Sequence, residues 1–442
     1  MNKRQAHHEA FGYEPLRMKP AHFASGFFVA LTDRTYANEL LNKVAVTKTN
    51  RGLLEDYAPE AVVERLHQDS RISPTMTQAK VELLRMQVNG VVNNDAAMYP
   101  AFRPYRQKGN DYTFFSRRML TRANRTDGYA GYFVALVLGQ CDAGRRVLDF
   151  GRSLAEESPG TLDRFVAPLL EGEEAEESGV AERYGTEYGV FEPSRLAEVA
   201  AAMRVQTEAL ARLCANLVDY SHYRRVRYFV VGLLAWLMDH MLRTATVLAA
   251  EPLLLFDFVG DKDGPIRSQS RTCYARLRER VRGAYVDLAS AGRFSVDPVE
   301  SGVFGRKNRE DENDFKFLEQ HFGDLALRMG YAQPRASRVP QKHFEFQPDT
   351  LRALMLSILD HDAGTAITFD EVCAELFSTW RIVVGAGAAD SDTLRQHGYF
   401  GFDESDLREN AAAFAERLKE LNLAVEPSDG LVLCSRDVGD VL

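Results

Sequence analysis

The stretch from Tyr228 to Phe258 constrains this chain more than any other part of it, because it is the most apolar segment of the sequence. Its longest uncharged run, Tyr228–Met238, covers 11 residues, and Asp239, Arg243 and Glu251 interrupt the remainder of the stretch. A membrane-spanning helix needs about 20 apolar residues. The run therefore predicts a buried core helix, over roughly Tyr220 to Ala250. A helix that is apolar on most sides sits in the middle of a bundle, so other helices must surround it.

The flanking sequence supplies them. After Pro193, Leu196, Val199, Ala200, Met203, Leu210, Leu213 and Leu217 recur at spacings of mostly three and four residues, which puts them on one helical face. Further helices are expected from about Ser268 to Leu288 and from about Glu312 to Met329. Together these form a central helical domain over residues 190–333. The N-terminal domain, residues 1–170, is expected to be mostly helical. Pro59–Leu66 and Pro74–Val92 are its helices, and Pro100 and Pro104 break the chain after them. Phe27–Leu31, Leu40–Val46, Phe114–Leu120 and Tyr132–Leu138 are apolar but too short to assign to helix or strand. The glutamate-rich segment Glu171–Glu177 reads as a solvated loop, and the prolines at 334, 340 and 348 as an extended linker.

The last hundred residues have the clearest pattern. Asp349 is placed to cap a helix that carries Leu351, Leu354, Met355, Ile358 and Leu359. Thr368 followed by Glu371 is a capping box, and it opens a helix with Phe369, Val372, Leu376 and Trp380 on one face. A glycine-rich insert, Gly385–Gly401, precedes a third helix from about Glu404 to Asn422. Two short strands then flank Pro427-Ser428-Asp429-Gly430, whose chemistry is that of a hairpin turn. Three helices and a hairpin in this order resemble the winged-helix superfamily over residues 346–442. The expected fold is thus mainly α: a multi-helix body with a C-terminal winged-helix-like domain. In that superfamily the third helix often enters the DNA major groove. Here it carries Glu404, Asp406, Glu409, Glu416 and Glu420 against Arg408, Arg417 and Lys419. An acidic helix suits a protein partner better than a field of phosphates.

Sequence motifs for chemistry are few. There is no phosphate-cradling Walker loop, no dinucleotide glycine fingerprint, no H-E-x-x-H and no nucleophile elbow. Asp261, Asp263 and Gly264 open like a calcium loop, but Ile266 and Thr272 stand where the loop needs glycine and glutamate. The segment therefore reads as a polar turn before a helix. Asp314-Phe315-Lys316, with Asp297 upstream, matches half of a metal-dependent nuclease pattern, but it lies in a helical pattern. His240 reads as a hydrogen-bonded core residue. The five cysteines are scattered and form no paired motif, so each reads as a small buried apolar residue. No cofactor and no metal site is expected. Met1–Glu9 is polar, without the apolar run of a secretory leader, which predicts a cytoplasmic location.

Arginine provides the one binding constellation. Arg117, Arg118, Arg122 and Arg125 form a first group, and Arg306, Lys307 and Arg309 another. The nucleic-acid candidates are Arg224, Arg225 and Arg227, beside tyrosines, and Arg267, Arg271, Arg278 and Arg282, which share one helical face. A guanidinium grips phosphate oxygens with two parallel bonds. The competing expectation is that these arginines form ion pairs within a protein of net charge -9. That net charge also argues against indiscriminate coating of nucleic acid.

These readings converge on a non-enzymatic binding or scaffold subunit of an intracellular, bacterial-type complex. Other protein subunits are its expected partners, nucleic acid is a second candidate, and no membrane is expected. Large helical proteins with a terminal winged helix resemble accessory subunits of chromosome-maintenance or phage-defence systems. The alternatives are a metal-dependent nuclease, or another enzyme whose site lacks a motif, and a winged-helix transcriptional regulator.

Overall fold

The computed structural model describes residues 3–15, 20–35, 59–68, 77–80, 129–156, 176–177, 179–189, 192–248, 251–293, 311–334, 341–361, 365–387, 389–427 and 430–436. The fold is mainly α-helical, as the periodicity predicts, and every strand among the described residues is two residues long. The chain divides into two compact units. One comprises residues 1–17, 136–147 and 191–442; the other comprises residues 18–135 and 148–190.

In the smaller unit, α2 (Pro20–Thr32) leads into β1 (Arg34–Thr35), and α3 (Pro59–His67) forms where a proline at the first helical position predicts it. Tyr132–Leu138, left open by the sequence, is helical within α4 (Ala130–Leu138), and α5 (Asp142–Glu156) comes next; a unit boundary falls inside each. β2 (Glu176–Glu177) pairs antiparallel with β1, so the end of the glutamate-rich segment is strand. α6 (Val180–Tyr188) is fastened to the start of α4 by aromatic rings: Tyr132 and Tyr184 lie 4.8 Å apart, and the Tyr129 hydroxyl donates to Glu187 at 3.1 Å. Gly131 lets α4 touch the backbone of α2. A β-carbon there would lie 2.4 Å from the Phe27 nitrogen, a distance no side chain tolerates. Of the expected helix Pro74–Val92 only residues 77–80 are described; Leu40–Val46 and Phe114–Leu120 lie outside the described residues.

The larger unit is built around α9 (His222–Ala245), in which every residue from Val226 to Leu242 is buried. α7 (Pro193–Ala202) and α8 (Arg204–Asn216) precede it. α10 (Pro265–Ser290) and α11 (Asp311–Arg328) come after it, and α1 (Lys3–Phe11) also packs on it. Small residues and satisfied polar atoms let these helices approach. Trp236 donates its indole N–H to Thr207 at 3.0 Å, and a β-carbon on Gly232 would meet Leu213 at 2.5 Å. Each fully buried leucine or phenylalanine on α9 contributes about 1.5–3 kcal/mol, so this helix dominates the core. Among the described residues no helix is long and apolar enough to cross a membrane.

The apolar stretch does not remain helical to Phe258. After α9 it becomes β3 (Leu254–Leu255). The remainder of the larger unit comprises β4 (Ala332–Gln333), β5 (His343–Phe344), α12 (Pro348–Ile358), β6 (Ile367–Thr368), α13 (Phe369–Trp380), β7 (Ile382–Val383), α14 (Asp390–Gln396), α15 (Glu404–Glu420), β8 (Ala424–Val425) and β9 (Leu433–Cys434). β4 and β5 pair antiparallel across the expected proline linker, of which residues 335–340 lie outside the described residues. The glycine-rich insert holds a helix of its own, α14.

Thr368 caps α13 through the box read from the sequence: its backbone N–H donates to Glu371 at 2.7 Å. Asp403 caps α15 in the same way with Asp406. β6, β9 and β8 form one antiparallel sheet in that order, with Ile367 and Ala424 both opposite Cys434. The expected hairpin is thus joined by a third strand. The expected boundary between a central domain ending at 333 and a C-terminal domain starting at 346 lies inside one compact unit. β7 pairs in parallel with β3, Leu254 opposite Ile382, and this ties the C-terminal segment to the chain after α9. Asn410 closes the seam: its amide donates to the carbonyls of Phe256 at 2.9 Å and Val384 at 2.8 Å, and its oxygen accepts from the Phe258 N–H at 2.8 Å.

Candidate functional site

The seven candidate arginines occupy two helices and have separate fates. Arg224 is exposed and Arg225 half-buried at the start of α9, whereas Arg227, one turn on, is buried and ion-paired with Asp349 of α12. Asp349, expected as a helix cap, instead lies in the first turn of α12, where Gln347 is the N-cap residue.

On α10, Arg267 is drawn inward by the polar turn that precedes the helix. Its Nε donates to the Asp257 carboxylate at 2.5 Å, and Nη2 to Glu345 at 3.2 Å. Asp257 is 1% exposed, and its second oxygen accepts the Gly260 N–H at 3.1 Å. Glu345 is shared with His343, which approaches it at 3.0 Å. That hydrogen bond holds the Glu345 carboxyl below its usual range against the opposing effect of burial, with His343 and Arg267 adding favourable charge. A desolvated guanidinium is tolerated only with such partners, so Arg267 is part of the interior.

Arg271 donates to the Lys262 carbonyl at 3.1 Å, which closes the polar turn against the helix. Arg278 is ion-paired with Glu319 of α11. Arg282 is half-buried and has no carboxylate partner among the described residues. The face that the sequence draws as four cations therefore keeps two without an ion pair among the described residues, Arg271 and Arg282. Among their neighbours, Arg276 is occupied with the carbonyls of His397 and Gly398 and with the Tyr399 ring. The groups at Arg117–Arg125 and Arg306–Arg309 lie outside the described residues, as does Asp297. Asp314 and Lys316 lie on α11, so the acid-x-lysine pair sits on a helix and not on a strand.

His240 and the cysteines, also singled out in the sequence, are placed as follows. His240 is buried, hydrogen-bonded to the Phe11 carbonyl at 3.0 Å and stacked on Trp236, and burial lowers its pKa to about 4. Four cysteines are buried and Cys141 is partly exposed. Asp257 and Glu345 had no sequence signal: they lie 10 and 78 residues from Arg267, and only folding brings them together.

The exposed surface of α15 is organised differently. Arg408 pairs with Glu404 at 3.2 Å and Arg417 with Glu420 at 2.8 Å; Lys419 bridges Glu416 at 2.8 Å and Glu426. All three cations of the helix are thus held by neighbouring carboxylates, and Glu409 remains exposed beyond them. Comparisons with protein-family models, curated proteins and solved structures find no match to this chain.

Proposed function

We propose that this chain is a non-enzymatic binding subunit that docks a partner protein through the acidic face of α15. The observation that carries the reading is the charge state of that helix. Five acids stand against three bases, and each base is engaged by an acid. A helix about to enter a DNA groove needs cations free to displace counterions from phosphates. This one presents a net negative surface, which complements a basic protein surface. The succession α12, β6, α13, α15, β8 and β9, with β7 and α14 inserted between α13 and α15 and with β6 beside β9, supports kinship with winged helices. That superfamily uses the same scaffold for DNA and for protein docking. An accessory role in a larger bacterial-type complex accords with this reading. Nucleic acid as a partner would meet Arg224, Arg271 and Arg282, three of the candidates outside the ion pairs described.

The test compares the intact chain with Glu409→Lys/Glu416→Lys. Both are purified from the native cell by affinity, and both are titrated with a fluorescent DNA duplex across a salt series. The intact chain should bring down a stoichiometric protein partner that the variant loses, with unchanged melting and no salt-dependent duplex binding. An undiminished partner on the variant overturns the α15 face. Duplex binding that is abolished by Arg224→Gln/Arg271→Gln/Arg282→Gln overturns the choice of protein over nucleic acid.

A further inference from the structure

A cavity of about 130 Å³ opens between α1, α7, α9 and the end of α10, and neither the candidate arginines nor α15 line it. Phe11, Val199, Met203 and Leu288 give it an apolar surface. Three guanidinium groups also line it, Arg195, Arg243 and Arg293, together with the Glu198 carboxylate and His240. The arginines come from α7, α9 and the turn after α10, so no sequence pattern joins them.

The fold already supplies partners for these charges. Arg243 is held at 2.5 Å by the buried Asp239 and lies 3.7 Å from Glu251. Arg293 pairs with Glu198 at 3.2 Å. Arg195 donates to the Glu9 carbonyl. Burial lowers the His240 pKa to about 4, so that ring is neutral at physiological pH. The lining therefore shows no cation in surplus for an incoming anion, and its three guanidinium groups repel an incoming ammonium.

We propose that this cavity binds a small neutral molecule built on a single aromatic ring. The volume sets the size, since an apolar cavity of about 150 Å³ accommodates benzene. The charges set the neutrality. A carboxylate or an ammonium would lose its hydration without gaining a free counter-charge, and an unpaired ion is costly to desolvate; a neutral ring carries no such cost. The guanidinium groups set the aromaticity. An ion-paired guanidinium still has a flat face, which attracts the π-cloud of a ring, and Phe11 adds a ring that favours an aromatic neighbour. A saturated ring of the same size gains only the apolar contacts. The site shares no residue with α15, so the proposal stands apart from docking by that helix.

Benzyl alcohol is the probe, titrated by calorimetry into the full chain. Benzoate and benzylamine are controls for charge, and cyclohexylmethanol is the control for aromaticity. Benzyl alcohol should bind saturably at one site with millimolar or tighter affinity. Benzoate and benzylamine should each bind about tenfold or more weakly than that, because their charge is desolvated unpaired. Cyclohexylmethanol should bind about two- to fivefold more weakly, the size of a cation–π contact at a partly exposed site. Ala202→Trp on α7 and Val247→Trp after α9, both at exposed lining positions, should each fill the cavity and abolish binding, with melting unchanged. Benzoate binding as tightly as benzyl alcohol would reveal a surplus cation, benzylamine binding as tightly a surplus carboxylate, and cyclohexylmethanol binding as tightly only an apolar hole. Each of these results overturns the proposal, as does no saturable binding of benzyl alcohol, or binding that survives in a Trp variant that melts as the parent does.

Discussion

Removing Asp257 tests the assignment of Arg267 to the interior most directly. The Asp257 carboxylate is 1% exposed and the Arg267 side chain 10%, with 2.5 Å between the bonded atoms. Asp257→Asn keeps the shape and the acceptor for the Gly260 N–H but leaves a desolvated guanidinium facing a neutral amide. Glu345 cannot replace the lost charge, because it is 3.2 Å away, 38% exposed and already engaged by His343. Breaking a buried pair by removing one partner costs about 3–5 kcal/mol. Replacing both partners by apolar residues of similar volume is often neutral or better. Asp257→Asn should therefore destabilise the larger unit by about 3–5 kcal/mol in urea unfolding, and Asp257→Leu/Arg267→Met should recover most of that loss. A single variant costing less than about 1 kcal/mol, or a double variant no more stable than the single, would refute the reasoning. The first result would mean that water reaches Arg267, the second that the pair does not act as a unit.

Leu234 is fully buried in α9; Leu234→Asp should abolish the cooperative thermal transition, because an unpaired carboxylate enters the apolar interior, and an unchanged midpoint would contradict the core assignment. Burial lowers the pKa of both His8 and His240 from 6.5 to about 4. Between those values the unfolded chain takes up protons that the folded chain refuses, so stability is full above pH 6.5 and falls as the pH drops to about 4, by about 3 kcal/mol for each histidine. Urea midpoints across that range, with His240→Gln flattening the slope, check this. A fragment from Phe346 to Leu442 lacks β3, the partner of β7, and the Phe256 carbonyl that Asn410 binds; it should melt well below the intact chain in a circular-dichroism scan, and an equal midpoint would make it an independent domain.

Local sequence determined several features governed by local physics. The apolar stretch beginning at Tyr228 could only be a buried helix, and α9 is one. Thr368 with Glu371 could be read as a capping box because its partners are three residues apart. The turn chemistry after Leu423 placed a hairpin for the same reason. Tertiary structure decided what depends on distant partners. The parallel pairing of β3 with β7 joins residues that no periodicity relates, and it makes a strand of the apolar stretch beyond the expected helix end at Ala250. The Asn410 clamp and the β4–β5 pair are equally non-local. The arginines show the limit most sharply. Helical spacing correctly put Arg267, Arg271, Arg278 and Arg282 on one helix, but it could not report that Asp257, Glu345 and Glu319 would meet two of them. Spacing along the chain fixes which face a charge starts from; only the folded interior fixes how far it is desolvated and which opposite charge stands beside it.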